Sequence, residues 1–279
     1  MKYAIAIALL GVTSVSAAPY YVGENLQPKN NLSLGFADTP TKKDVAAGRN
    51  DTGNIAAIEL KGSYGMGDSA SLRAGLPFYM ASKNVAGTSR NALGNINLGG
   101  VWNNSMTSAN QAYTYGYSLS GDLYLPTSRK DQADTVAAVN PTTDLYKYTS
   151  KATALTPTLG AFIGQDRWSA KTNLGLAYAY LPKSANSRNN KANHLAGTWQ
   201  LAASWHATPS IHGNIEYNTI YLDSASYDGV NRKFKHAMTP SVSGNYDKMV
   251  ASAFATIPLD KTTRDLTNVS FGLNAGYTF

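Results

Sequence analysis

The chain has 279 residues, a formal net charge of +7 from 24 basic and 17 acidic residues, and no cysteine. The missing cysteines exclude a disulfide framework and a thiolate metal centre. Beyond the N-terminus no segment approaches the roughly 18 uninterrupted apolar residues of a membrane helix, so a helical bundle in a bilayer is excluded as well.

In chain order, Met1-Lys2 is a short basic head, residues 4–12 (AIAIALLGV) are apolar, and SVSAAP supplies small residues. This layout predicts a secretory signal peptide over 1–17, cut after Ala17. Residues 18–29 are expected as a short periplasmic segment, with a barrel over 30–279. From there apolar and polar residues alternate in run after run, the period of a strand with one apolar face.

The expected strands are 30–38, 54–64, 70–81, 93–103, 111–125, 153–164, 167–180, 195–206, 211–222, 234–246, 249–259 and 268–279. The fourth sets Ile96, Leu98 and Trp102 against Asn95, Asn97 and Gly99. The last, NVSFGLNAGYTF, sets Val269, Phe271, Leu273, Ala275, Tyr277 and Phe279 against small polar residues. Three strands contain a proline, Pro157, Pro240 or Pro258, which disfavours a central ladder position.

Connections alternate between long ones, near 39–53, 82–92, 126–152, 181–194, 223–233 and 260–266, and short turns between them. Long loops on one side and short turns on the other are the layout of an up-and-down barrel in an outer membrane. The fold expected is therefore all-β, a 12-stranded antiparallel transmembrane β-barrel. Lipid offers no hydrogen bonds, so such a sheet must close on itself. An even strand count puts both termini on the periplasmic side of a bacterial outer membrane. Trp102, Trp168 and Trp205 then fall near one rim, and Tyr180 and Tyr221 near the other, as two aromatic girdles.

The opposite face carries the candidate pore lining: Glu59, Lys61, Arg73, Asp122, Lys171, His206, His212, Glu216 and Lys235. Its fixed charges are four cations against three anions. That composition suits either a weakly anion-preferring pore or a set of internal salt bridges filling the lumen, since an unpaired buried charge is costly. Basic residues in the long loops (Lys42, Lys43, Arg49, Arg129, Lys130, Lys183, Arg188, Lys191, Arg232, Lys233) suit lipopolysaccharide phosphates or anionic solutes. They are too dispersed for nucleic acid. The loop 126–152 is long enough to fold inward or cover the mouth.

No histidine is followed by the Ser and Asn-Gly spacing of an outer-membrane phospholipase, and no third ligand accompanies His206 and His212. Neither an enzyme nor a metal or other cofactor is expected. The Asp51-Thr52-Gly53 triplet lies in a polar loop and not after an apolar strand, so no aspartic-protease site is read from it.

Residues 62–82, GSYGMGDSASLRAGLPFYMAS, resemble a pattern in a family of outer-membrane transporter-like proteins. That family includes the meta-pathway phenol-degradation proteins and is loosely grouped with long-chain fatty-acid transporters. LGNINLGGVW resembles its repeated Gly-Asp-Leu-x-Leu-Gly strand, with Asn95 where aspartate is usual. LYLPTSRKD resembles its Leu-Pro-Thr-Gly strand end, with Ser128 in place of glycine; PTLGAFIG and the final strand also fit. The resemblance implies a barrel, monomeric or weakly associating into homo-oligomers, that conducts small, hydrophobic or aromatic solutes.

The expected function is thus passive passage of small solutes. The alternatives are a closed-lumen structural or surface-interaction barrel, then an outer-membrane lipid hydrolase. Expected partners are outer-membrane lipid and lipopolysaccharide, small solutes and the barrel-assembly machinery, which would read Tyr277 and Phe279 at the C-terminal end.

Overall fold

The computed structural model describes residues 30–42, 53–82, 90–109, 112–128, 145–149, 151–180, 193–222 and 233–279. The expected signal peptide, the segment 18–29 and most of the basic loop residues lie outside the described residues. Twelve antiparallel strands form the described sheet: β1 (Asn31–Thr41), β2 (Gly53–Met66), β3 (Ala70–Ala81), β4 (Arg90–Leu93 and Asn97–Thr107), β5 (Thr114–Tyr124), β6 (Thr153–Leu155 and Thr158–Gln165), β7 (Trp168–Tyr180), β8 (Asn193–Thr208), β9 (Ile211–Leu222), β10 (Phe234–Tyr246), β11 (Met249–Pro258) and β12 (Ser270–Thr278). Each strand pairs with its chain neighbours. β1 closes the barrel on β12, with Leu34 opposite Ala275 and Phe36 opposite Leu273. Among the described residues the sheet thus closes on itself, the condition for backbone amides to survive in lipid; only the short piece Arg90–Leu93 pairs on one side alone, with β3.

Prolines account for the irregular rungs. Pro77 of β3 has no N–H to donate, and β4 is interrupted at 94–96 opposite it; Gly94 N donates to Pro77 O instead (2.8 Å). Pro157 lies in the gap between the two pieces of β6, where Leu176 N reaches Pro157 O (3.0 Å). The β10–β11 ladder lacks direct pairs at Thr239 and Pro240. The connection 259–269 holds a short helix, α1 (Lys261–Leu266), started by Asp260, whose carboxylate accepts from Thr263 N (2.8 Å).

The outward face carries the expected apolar rows. Leu174 and Phe271 are each 60% exposed, and Leu34, Leu72, Leu119, Leu159, Leu201, Ile215 and Leu273 are likewise open to the surroundings. So wide an apolar belt on a closed barrel is not a soluble surface; it is the face a bilayer covers. Trp102, Trp168, Trp205, Tyr180 and Tyr221 all point outward. Trp168 and Trp205 sit opposite each other at the end bearing the chain termini; Tyr180 and Tyr221 sit at the loop end. At the C-terminus Phe279 N donates to Asn30 O (3.1 Å), and the Tyr277 and Phe279 rings stack at 6.5 Å on the outer surface.

Candidate functional site

Every candidate lining residue lies on the inward side of its strand, and the structure sorts them into groups. Arg73 of β3 and Asp122 of β5 face each other across the intervening Gly99 of β4. They form a bidentate pair: Nε to Oδ1 at 2.8 Å and Nη2 to Oδ2 at 2.6 Å. A side chain at Gly99 would collide with the Asp122 carboxylate, so glycine is what lets the pair form over β4.

On the other side of the lumen Glu216 of β9 is fully buried. Its Oε1 accepts from Gln200 Nε2 and Asn218 Nδ2, both at 2.6 Å. Gln200 Oε1 in turn accepts a short bond from Asn173 Nδ2. Lys171 and Lys235 are buried on the same wall. Toward the termini amide–hydroxyl clusters line β9–β12. Asn214 Nδ2 donates to Ser241 Oγ (3.1 Å) and Ser243 Oγ (2.7 Å), and Asn274 Nδ2 to Ser252 Oγ (3.2 Å).

His206 and His212 do come together, as a cross-strand pair with rings 5.0 Å apart and nearly perpendicular. His206 Nδ1 lies 2.9 Å from Asp166 O, and Asn245 Nδ2 3.4 Å from His212 Nε2. Among the described residues no group of three His, Cys, Asp or Glu could hold a metal ion.

The expectation of a uniformly polar inward face needs correction at the loop end. There the buried inward residues of β2–β9 are mostly apolar, Ile55, Ala57, Tyr79, Ala81, Ala92, Tyr124, Ala154, Ala177, Ala179, Ala196, Ile220 and Leu222, with His194 among them. They are covered by the chain itself. Residues 145–149, within the loop between β5 and β6, turn into the mouth, with a 3₁₀ turn over Leu145–Lys147.

Tyr146 packs against Tyr124 (5.9 Å between rings) and the alanines of β6–β8. Tyr148 meets Tyr79 edge-on (6.0 Å) on the β2–β4 side. The small inward alanines leave room for these two rings. Between them Lys147 reaches down to Glu59, Nζ to Oε1 at 2.9 Å and to Oε2 at 3.2 Å, with Lys61 Nζ 3.5 Å from the same carboxylate. The Lys147 and Glu59 side chains are 3% and 0% exposed.

Asn95 and Ser128 hold the segment in place. Asn95 Nδ2 donates to Tyr146 O (2.6 Å) and Thr149 O (2.7 Å), and Asn95 N to Lys147 O (2.7 Å). Asn95 Oδ1 accepts from Ser128 N (3.0 Å). Ser128 Oγ donates to Thr149 O (3.1 Å) and accepts from Lys151 N (3.0 Å). Gly94 is required beside them, since a Cβ there would lie 2.6 Å from Lys147 O.

These are the two positions at which the sequence leaves the pattern it resembles. An aspartate at 95 could not make the two donations, because an ionised carboxylate only accepts; a glycine at 128 has no hydroxyl. Both residues stand out in the sequence without showing their role, and Lys147 does not stand out at all. Asn95 was expected as one rung of a continuous strand; it sits instead in the gap that Pro77 imposes on β4.

No family model matches the chain, and no curated protein does. Among solved structures, it is similar to an outer membrane channel from Pseudomonas putida F1, with a TM-score of 0.61 at 10% identity, covering 93% of this chain and 100% of that one. It is also similar to the NanC porin, with a TM-score of 0.53 at 6% identity, covering 90% and 99%. At such identities the likeness bears on architecture, and it agrees with the sheet pairing: the chain has the fold of an outer-membrane barrel, a closed 12-stranded antiparallel one.

Proposed function

We propose that the protein is a narrow outer-membrane channel for passive passage of small solutes, with its termini in the periplasm and its long loops outside. The observation that carries this reading is the lumen below the mouth, which is lined with charged and amide side chains where apolar ones would fill it more cheaply. A barrel serving only as a scaffold gains nothing from such a lining, because buried ion pairs rarely add stability over apolar packing. The two solved neighbours are described as a channel and a porin, which supports the same reading.

The lining favours weak anion preference: Lys61, Arg73, Lys147, Lys171 and Lys235 stand against Glu59, Asp122 and Glu216. The apolar wall around Tyr146 and Tyr148 favours solutes with an aromatic or hydrophobic part. In this reading the inserted segment is the constriction that a solute passes or displaces.

Conductance of the purified chain in planar bilayers, with the reversal potential across a salt gradient, tests it. Small, discrete conductance steps with a reversal potential displaced toward that of the anion are expected. A barrel that conducts nothing, even with residues 145–149 replaced by a glycine-serine linker, would be the closed-lumen structural protein instead. Tyr277 and Phe279 close the C-terminal strand on the outer surface, where assembly machinery could grip it. Removing Phe279 is expected to reduce the heat-modifiable, membrane-inserted fraction in cells while leaving the conductance of inserted barrels unchanged.

A further inference from the structure

Among the described residues, two acid–base side chains lie on the outward face, Asp38 of β1, which accepts from Asn54 Nδ2 (3.0 Å), and His236 of β10. His236 of β10 points outward and is half-buried, and its ring is sandwiched between Phe234 (5.8 Å, 6° between planes) and Tyr217 (6.1 Å, 19°). Its Nδ1 lies 2.9 Å from Tyr217 Oη and 2.7 Å from Thr219 Oγ1. An ionisable group placed in a lipid belt is costly and marks function more often than not. With Nδ1 engaged by hydroxyls and the ring held on both faces, Nε2 is the nitrogen left to meet a group outside the wall.

Beside it the wall is hollowed. A groove of about 580 Å³ runs along the outside of β5–β10 between Leu159, Leu174, Leu176, Trp199, Tyr221 and Phe234, a volume within the roughly 300–1,000 Å³ of ligand clefts. Thr219, which holds His236, also lines the groove, and Phe234 belongs to both. Gly197 of β8 forms part of its floor and has open space where a side chain would be. The groove is continuous with the apolar belt, so what fills it is membrane lipid. At its loop end stands the imidazole, with His236 N donating to Asp260 Oδ2 (3.2 Å), and the exposed Lys233 precedes Phe234 in the chain; imidazole and ammonium suit an anionic, hydroxyl-bearing headgroup.

We propose that this groove binds one acyl chain of a phosphorylated glycolipid, the lipopolysaccharide of the outer leaflet, with the headgroup at His236 Nε2 and Lys233. The inference rests on the membrane reading with the long loops facing outward.

Two single-tryptophan forms of the full chain test it in bilayers containing brominated phosphatidylcholine, which quenches indole fluorescence on contact. One keeps Trp199, in the groove; the other keeps Trp102, on β4. Lipopolysaccharide is expected to relieve quenching of Trp199 at a several-fold lower mole fraction than it relieves quenching of Trp102. Gly197→Leu, which fills the groove, and His236→Phe, which keeps the stacked ring but removes both nitrogens, are each expected to abolish the difference.

Equal displacement at the two tryptophans overturns the proposal, as does an unchanged preference in both variants. Displacement by phosphatidylglycerol as effective as by lipopolysaccharide overturns the glycolipid assignment. Absence of quenching at both tryptophans overturns the membrane reading, and the proposal with it, so the two failures are told apart.

Discussion

The mouth of the lumen and the lumen below it are built from the same alternating strands, yet they treat inward side chains in opposite ways. At the mouth, inward positions are mostly alanine, tyrosine, isoleucine and leucine, with His194 among them, packed around Tyr146 and Tyr148 from the inserted segment. Below it they are Arg73–Asp122, Gln200–Glu216–Asn218 and Asn214–Ser241–Ser243, satisfied by one another. Alternation decides which side chains point inward; it does not decide whether they meet water or protein. Where the chain fills its own barrel the inward face becomes a core, and where it does not, the face stays polar.

The largest break in this contrast is removal of the filling. Replacing residues 145–149 by a glycine-serine linker is expected to raise single-channel conductance several-fold. An unchanged conductance would place the constriction elsewhere.

Glu59→Gln comes next. It leaves Lys147 as a buried cation without its carboxylate, a loss of about 3–5 kcal/mol for a buried pair. The segment should leave the mouth more often, seen as larger or flickering conductance steps, and the reversal potential should move further toward the anion. Asn95→Asp removes two donated hydrogen bonds and sets a carboxylate against two carbonyls, weakening the clamp by about 3 kcal/mol. Recordings should then approach those of the linker variant, with the unfolding temperature of the barrel barely changed.

The smallest effect sharpens the other side of the comparison. Asp122→Asn loosens a part-buried pair, its side chains 36% and 16% exposed, worth about 1 kcal/mol. It is expected to shift ion selectivity toward anions without altering conductance steps, because nothing in the mouth depends on it.

Much of the barrel is legible in the residues alone. β3, β9 and β10 occupy the spans that alternation predicts, 70–81, 211–222 and 234–246. The errors share a cause. The expected strand 93–103 is broken at 94–96 because a proline on the neighbouring strand cannot donate to it, and a partner's proline is invisible in the strand's own sequence. α1 fell inside an expected loop, being too short to show a helical period, although Asp260 three residues before Thr263 is a capping signal. The lining charges were readable, since a charge on the polar side of an alternating strand can only face inward.

Lys147 was not readable. It sits in a polar loop without periodicity, 88 residues from its partner Glu59, and nothing local says that this loop turns inward while its surroundings do not.

By itself, then, the sequence determined the strands, the closed sheet, the lipid-facing side and the identity of most lining charges. These follow from a period of two and from the demand that every backbone amide in lipid be paired, and both are properties of neighbouring residues. Only the tertiary structure decided how the lumen is occupied. That depends on Glu59, Asn95, Ser128 and Lys147 meeting at one end of the barrel, and on Gly197 and Phe234 lining one groove on its outer wall. Strand tilt and register bring such distant positions together, and no local pattern encodes their meeting.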